Sequence, residues 1–193
     1  MNPSTKPPHD ELTRQRNERA NTFARTGNLP HRLGLTLSEA LVLGLLRQGV
    51  KAYFAVLGHG STEGGEVLRV YQDAGLVKVF GVRNEIEASH AATALRWVKG
   101  EKAAVVTSIG PGALQALAAS LAPASDGIGV WYLFGDETTE DEGYNMQQIP
   151  TPEQGLFLQL AATMGRAYSL HTPLALSIAL QRGSATVDHP YRP

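Results

Sequence analysis

The chain has 193 residues, a formal net charge of −1 at neutral pH and no cysteine. This length suits one domain with a proper core, and the charge argues against a basic footprint for nucleic acid or a polybasic patch for membranes. The lack of cysteine excludes thiol catalysis and disulfides and fits a cytoplasmic location. No stretch approaches eighteen apolar residues, so no membrane span is predicted, and the six histidines lack the paired spacing of a zinc site.

Residues 1–33 are predicted to be an N-terminal arm, separate from a domain that spans residues 34–193. One polar helix is expected over residues 10–25. Its apolar positions, such as Leu12, Ala20 and Phe23, are too sparse for a core element that stands alone. We therefore expect a tail that is disordered, or ordered only by packing, in preference to a functional arm.

From Thr36 the pattern changes to a regular alternation of elements. Thr36 and Glu39 form a capping box that opens a helix ending near Gln48, and Gly49 supplies the stop. Unbroken apolar runs typical of strands covered on both faces follow at 52–57, 77–82, 103–107, 130–134 and, more weakly, 166–170. Helices are predicted between most of them, at 63–74, 85–99, 112–122 and 153–164. This alternation predicts an α/β fold: a parallel, doubly wound sheet with helices on both faces.

Two segments near the end of the chain break this regularity. Residues 135–151 form a long acidic stretch without pattern, and loops of that length are usually functional or mobile. A last helix is predicted over residues 173–182. From Ser184 onward the sequence is rich in turn residues, so we expect no further regular element there.

Two motifs follow consecutive predicted strands. Arg83, Glu85 and His90 open the helix after the strand at 77–82, and the segment from Thr107 to Ala113 carries a Gly-Pro-Gly turn. Because consecutive βα turns of a parallel sheet deliver their residues to the same carboxyl edge, we expect Glu85 to lie beside that turn. Its glycines let the backbone approach a flat ring and expose N–H groups at the helix start.

These motifs resemble the pyrimidine-binding (PYR) domain of thiamine-diphosphate enzymes, the group of acetolactate synthases and 2-oxo-acid decarboxylases. In that family Arg-x-Glu is followed five residues later by His, and the next strand ends in Thr-Ser-(x)-Gly-Pro-Gly-Ala. The run from Phe54 to Gly60 resembles the family's first loop. The extra residue Ile109 is most similar to the trihydroxycyclohexanedione hydrolase branch. The resemblance covers residues 35–193.

The resemblance implies that Glu85 is the catalytic residue, which activates the cofactor thiamine diphosphate. A carboxylate hydrogen-bonded to ring nitrogen N1′ favours the imino tautomer of the aminopyrimidine, which then removes the cofactor's own C2 proton. Such a carboxylate must share a proton near neutral pH, which apolar surroundings favour. The neighbours Ile86, Ala88, Ala91 and Ala92 are suitably apolar. Glu87 should face away from Glu85, because residues two apart on a helix do not share a face.

The resemblance also implies a set of cofactor contacts and a partner. The contacts are His59, Gly60, Asn84, Ser108, Gly110, Pro111, Gly112 and Gln115, the last where the family commonly has Asn. No metal ligand is expected here, because Gly135-Asp136 is followed by Glu137 and by no Asn at the right distance, so the Gly-Asp-Gly…Asn segment that holds Mg²⁺ and diphosphate in the family is absent. Mg²⁺ is therefore expected in a partner PP domain, supplied by the same longer chain or by a second subunit of a homo-oligomer.

The expected function is the pyrimidine-binding half of an enzyme acting on C–C bonds beside a carbonyl, in 2-oxo acids or cyclic diones. In the family a strand follows the last helix, so we expect a fragment of a longer polypeptide or a separate subunit, inactive when isolated. Two alternatives stay open. One is a binding or assembly module without catalysis. The other is a dinucleotide-binding Rossmann-like domain using Gly58–Gly64, although Glu85 lies twenty-seven residues past Gly58 and a ribose-binding acid lies about twenty past.

Overall fold

The computed structural model describes residues 9–136 and 156–189. In chain order the elements are α1 (His9–Thr26), α2 (Leu37–Arg47), β1 (Ala52–Val56), α3 (Thr62–Asp73), β2 (Lys78–Gly81), α4 (Glu85–Lys99), β3 (Ala103–Thr107), α5 (Pro111–Ser125), β4 (Trp131–Phe134), α6 (Leu156–Ala162) and α7 (Pro173–Asp188). The strands form one parallel sheet in the order β2-β1-β3-β4. None of the helices in these two ranges is long and apolar enough to span a membrane.

The sheet carries helices on both faces, which confirms the predicted fold class. Side chains such as Tyr53 and Val106 pack toward α1, α2, α3 and α7 on one face. The alternate positions, such as Ala52 and Val105, pack toward α4 and α5 on the other. The chain therefore leaves β1 toward one face and β3 toward the other, although these strands are neighbours. A crevice forms at such a topological switch point and is where ligands bind in open α/β sheets.

Helix α2 begins with half of the predicted capping box. The hydroxyl of Thr36 accepts a hydrogen bond from the backbone N–H of Glu39 at 3.3 Å, and the helix is capped at its end by Gln48 as predicted. The reciprocal bond from the Glu39 side chain is not made. That carboxylate is fully buried and accepts two bonds from Arg19 of α1, at 2.9 and 2.6 Å. The Glu39 carboxylate thus binds Arg19, twenty residues upstream, in place of the backbone N–H of Thr36 that a full capping box would use.

Helix α1 occupies the segment predicted to be helical and packs on the domain. Ala20 is 1% exposed and belongs to the core beneath α2 and α3. Arg16, one turn earlier, is also buried. The few apolar side chains of α1 are therefore enough to hold it on the domain, because buried charged side chains contribute to the same contact. The division of the chain at residue 33 stays a prediction.

The predicted fifth strand at 166–170 is wrong. This segment connects α6 to α7 and pairs with no strand in the described ranges. Arg166 and Ser169 interrupt its apolar residues, so it lacks the unbroken apolar run of a parallel strand that is covered on both faces. Helix α6 covers part of the predicted 153–164, and most of the predicted loop at 135–151 lies outside the described residues.

Helix α7 is longer than predicted and ends at Asp188 in place of residue 182. Gly183, the residue just after the predicted end, is buried where α7 crosses Trp131 of β4. Val187, one turn further on, is buried as well. Glycine disfavours a helix interior, but here the lack of a side chain allows the helix to approach an aromatic ring, and that packing extends the helix.

We predict opposite effects for two helical Gly→Ala substitutions. A Cβ at Gly183 would overlap the Trp131 ring, so Gly183→Ala should lower the free energy of unfolding by about 1–3 kcal/mol. Gly64 in α3 has open space around it, so Gly64→Ala should raise it by about 0.5–1 kcal/mol. Urea denaturation of both variants measures these changes. A Gly183→Ala protein as stable as Gly64→Ala would contradict the close approach of α7 to β4.

Candidate functional site

Loops that follow the strands meet at the carboxyl edge of the sheet, and the loop after β3 lies between two others. The backbone N–H of Ile109 donates to the carbonyl oxygen of His59 at 3.2 Å, which joins it to the loop after β1. The N–H of Gly135 donates to the carbonyl oxygen of Thr107 at 3.1 Å, which joins it to the loop after β4. The crevice predicted from the topology is therefore built by hydrogen-bonded loops.

Glu85 is the first residue of α4 and is 7% exposed. Its Oε1 atom lies directly against the Cα of Gly112 in the first turn of α5. A Cβ atom on Gly112 would sit 2.7 Å from Oε1 of Glu85 and 2.5 Å from Oγ of Ser108. The predicted meeting of Glu85 with the Gly-Pro-Gly turn is therefore confirmed, and the missing side chain of Gly112 creates the space for it.

The Gly-Pro-Gly turn opens α5 without a side-chain cap. Gly110 precedes the helix with φ of 58° and ψ of −120°, a conformation that favours glycine, and Pro111 takes the first helical position. We expected exposed N–H groups at this helix start, but the N–H of Gly112 is not free. It donates to the carbonyl oxygen of Ile109 at 3.3 Å. Gln115, one turn further on, is exposed.

The Gly-His-Gly loop after β1 is shaped by close packing. Gly60 has φ of 75°, and a Cβ on it would lie 2.5 Å from Cγ2 of Ile109 and 2.8 Å from the backbone of Asp136. A Cβ on Gly58 would lie 2.9 Å from that of Ser108. Close contacts with neighbouring loops therefore explain both glycines, so their presence does not require the dinucleotide site that was the alternative for this loop. His59, between them, is exposed at the edge of the crevice.

Ile109 has a packing role that the motif around it did not predict. This extra residue before Gly-Pro-Gly is 1% exposed and fills the space between the first and third loops. Its side chain contacts the Cα of Gly60, and its N–H holds His59. An apolar residue inside a polar turn motif is the signal that could have indicated such a buried contact.

Asn84 and Glu87 serve the start of α4. The Asn84 side chain caps the helix, since its Oδ1 accepts from the N–H of Glu87 at 2.9 Å. The Glu87 carboxylate pairs with Arg83 at 2.5 Å on the surface. The hydrogen bond from the Arg83 side chain holds the pKa of the Glu87 carboxyl below its ordinary value. Glu87 therefore faces away from Glu85, as predicted, and is ionised at neutral pH.

The surroundings of Glu85 are partly apolar, as expected, and partly polar. Ala88 and Ala92 are fully buried, but Ile86 is 43% exposed and points away from the site. On the buried side of α4, one turn after Glu85, the hydroxyl of Ser89 lies 2.5 Å from that of Tyr132 on β4. Burial raises the pKa of this tyrosine, which keeps its proton. The four-residue spacing from Glu85 to Ser89 could have indicated that both residues lie on the same face of α4.

Among residues 9–136 and 156–189, no group of three or more His, Cys, Asp or Glu side chains could hold a metal ion. The candidate site in this part of the chain is therefore the crevice itself. It combines one nearly buried carboxylate, the backbone of a glycine-rich turn and an exposed histidine at the rim.

Comparison with known proteins identifies the class to which this crevice belongs. Residues 35–156 match the family described as thiamine pyrophosphate enzyme, N-terminal TPP binding domain. The match covers more than half of the chain and includes Glu85, Ser108 and Gly112. The protein belongs to this family, which confirms the resemblance deduced from its motifs.

The chain is similar to proteins described as 3D-(3,5/4)-trihydroxycyclohexane-1,2-dione hydrolases. The chain is 36% identical to the Bacillus licheniformis enzyme over 102 residues, which cover 46% of this chain and 16% of the relative. It is 37% identical to the Bacillus velezensis enzyme over 99 residues, or 45% of this chain and 15% of the relative. The chain thus matches about a sixth of the length of these enzymes.

We predict that Gly112→Ala strains the site in a way that Ser108→Gly partly relieves. The new Cβ would overlap both Oγ of Ser108 and Oε1 of Glu85, so the substitution should cost about 1–3 kcal/mol of folding free energy. Removing the serine hydroxymethyl group frees one side of that space. Urea denaturation of the single and double variants gives the coupling free energy, which should be favourable. Strictly additive effects would show that Ser108 and Gly112 are not in contact.

Proposed function

We propose that this chain forms the pyrimidine-binding half of a thiamine-diphosphate site in which Glu85 is the catalytic residue. The observation that carries the proposal is the position of the Glu85 carboxylate, nearly buried and lying against Gly112. The family match supports thiamine diphosphate as the cofactor. The contact between Glu85 and Gly112 explains why the two motifs occur together in one sequence.

The chemistry of Glu85 fits a ring nitrogen as its partner. Its side chain makes no hydrogen bond or ion pair to the rest of the described chain. A buried polar group that lacks a partner is costly, so the crevice favours a ligand that shares a proton with this carboxylate. Glu87 cannot take this role, because Arg83 already holds it ionised at the surface.

The remaining site residues have separate tasks in this proposal. Gly112 offers a backbone surface without a side chain, which suits the close approach of a flat ring. Ser108 lies against the same glycine and limits the positions open to the Glu85 carboxylate. Gly60 and Ile109 hold the first loop in place, with His59 at the rim.

Four further contacts carry over from the family resemblance. Gly110 and Pro111 set the direction of the turn, Asn84 sets the start of α4, and Gln115 lies near the turn on the exposed side of α5. When bound, thiamine diphosphate supplies the carbon nucleophile for reactions beside a carbonyl. We assign to this chain only the binding, orientation and proton sharing at the pyrimidine end.

We infer that the complete enzyme cleaves C–C bonds beside a carbonyl, with cyclic diones as the first class of substrate to test. The relatives are hydrolases of such a dione by name, and the chain is 36–37% identical to them over the matched part. The Mg²⁺ and diphosphate end then requires a PP domain. The far greater length of the relatives supports its presence in the same longer chain, and a second subunit is the other source.

We also propose that the protein forms a homo-oligomer through α4 and α5. Large apolar side chains are exposed on these two helices: Ile86, Trp97, Val98, Leu114 and Leu121. Extended exposed apolar surfaces usually mark interaction sites. Since both helices begin at the crevice, an assembly through them would bring a second copy close to Glu85.

Glu85→Gln tests the catalytic proposal. The substitution is nearly isosteric, and the amide can still hydrogen-bond a ring nitrogen, so folding and cofactor binding should survive. It cannot exchange a proton, and the rate should fall roughly 10²–10⁴-fold, as is usual when acid-base assistance is removed. The measurement is C2–H exchange of bound thiamine diphosphate in the full-length or reconstituted enzyme.

Glu87→Gln is the matched control, because it removes a carboxylate two residues away that pairs with Arg83 on the surface. It should exchange the C2 proton at nearly the parent rate. A parent rate in Glu85→Gln would contradict the catalytic assignment and favour a binding or assembly module without catalysis.

For the assembly, we predict that substitutions on α4 and α5 weaken self-association. Trp97→Gln or Leu121→Gln should raise the dissociation constant about tenfold or more, since each removes a large apolar side chain from the contact. Leu174→Gln on α7, which is 70% exposed before substitution, should leave it unchanged. Sedimentation equilibrium over a range of concentrations measures these constants. Equal constants for all three variants would exclude the α4/α5 surface.

A further inference from the structure

Arg16 of α1 is 3% exposed and reaches oxygen atoms on two other elements. Its Nη2 lies 3.4 Å from Oγ1 of Thr36, which precedes α2, and 3.3 Å from Oε1 of Glu63, in the first turn of α3. Its Nε lies 3.7 Å from Oε2 of Glu39. One buried guanidinium therefore joins α1 to the N-terminal ends of both α2 and α3.

The neutralisation of Glu39 does not explain this arrangement. Arg19 already binds both oxygens of that carboxylate with a planar fork of two hydrogen bonds, the favoured geometry for such a pair. The Nη2 group of Arg16 instead points to Thr36 and Glu63. Because a buried charge must be paired, this direction fixes where Glu63, and with it the first turn of α3, can lie.

The first turn of α3 continues directly from the loop that carries His59. The N–H of Ser61 donates to the carbonyl oxygen of Gly58 at 3.2 Å, and its Oγ accepts from the N–H of Gly58 at 3.1 Å. The N–H of Gly65 then donates to the carbonyl oxygen of Ser61 at 2.9 Å. A shift of Glu63 would therefore move the 58–61 turn, which is bonded through His59 to Ile109.

We propose that Arg16 is a positioning residue: from α1 it holds Glu63 and so fixes the 58–61 turn of the candidate cofactor site. Helix α1 precedes the family match, which begins at residue 35. The contact therefore joins a helix outside the matched residues to two residues, Thr36 and Glu63, inside them. The mechanical link stands on the structure alone, and its relevance to the cofactor rests on the proposed function.

A mutant cycle tests the link in the protein without cofactor. The variants are Arg16→Met, Glu63→Ala and the double variant, and amide exchange at Ser61, Gly65 and Ile109 is followed by NMR under native conditions. Each single variant should speed exchange at these amides roughly three- to tenfold, the range for losing one half-buried charged hydrogen bond. The double variant should show less than the sum of the two single effects, because both remove the Arg16–Glu63 contact, whereas the bonds to Thr36 and from Ser38 are each lost in only one of them.

Arg14→Met is the matched control, because within the described residues Arg14 pairs only with Glu11 and Glu18 of its own helix. It should leave exchange at Ser61 unchanged. If Arg16→Met does not fold, Glu63→Ala carries the test, since it keeps the contacts of α1 with Glu39. Parent exchange rates at Ser61 and Gly65 in Glu63→Ala would overturn the proposal and leave α1 as a cover for the core.

A second measurement separates this link from the proposed function. In the full-length enzyme, Arg16→Met and Glu63→Ala should raise the half-saturating concentration of thiamine diphosphate by a similar factor, with kcat at saturation within about twofold of the parent. Faster exchange at Ser61 together with an unchanged half-saturation would overturn the role of this turn in cofactor binding. The cofactor assignment, by contrast, is tested separately by Glu85→Gln.

Discussion

The site depends on one close approach, that of the Glu85 carboxylate to the backbone of Gly112. The two residues begin consecutive helices on the same face of the sheet, and no side chain larger than hydrogen would leave room for the carboxylate at its present place. The space that accepts Glu85 also leaves it nearly buried and without a hydrogen-bond partner in the described chain. The contact between Glu85 and Gly112 therefore determines both how the two helices pack and how far the Glu85 carboxylate is buried.

The rest of the fold holds that contact in place. Because α3 and α5 leave neighbouring strands toward opposite faces, the loops after β1 and β3 line one crevice. Ile109 joins these loops by its side chain and by its N–H. On the other face, Arg16 attaches α1 to the first turn of α3, which continues from the first loop, and Arg19 attaches α1 to α2. On that face paired charges therefore add to the apolar packing beneath these helices.

Local signals were enough to predict most of the fold and the centre of the site. The apolar runs at 52–57 and 103–107, and the Asn84 cap followed by Glu85, depend on residues close in sequence. Predictions failed where a residue distant in sequence determines a side chain's partner or the length of a helix. The partner of Glu39 lies twenty residues away, and Gly183 continues a helix because Trp131 lies beneath it. The Arg83–Glu87 pair joins a residue just before α4 to the first turn of that helix, and its four-residue spacing could have been used to predict it from the sequence.

The most direct test of the proposed role of Glu85 is a crystal structure of this chain together with its proposed PP domain, thiamine diphosphate and Mg²⁺. We expect an oxygen of Glu85 within hydrogen-bond distance of ring nitrogen N1′, about 2.5–3.2 Å, with the ring beside the Gly110–Gly112 turn. A pyrimidine ring bound elsewhere, or held at N1′ by another residue while Glu85 stays without a partner, would contradict it.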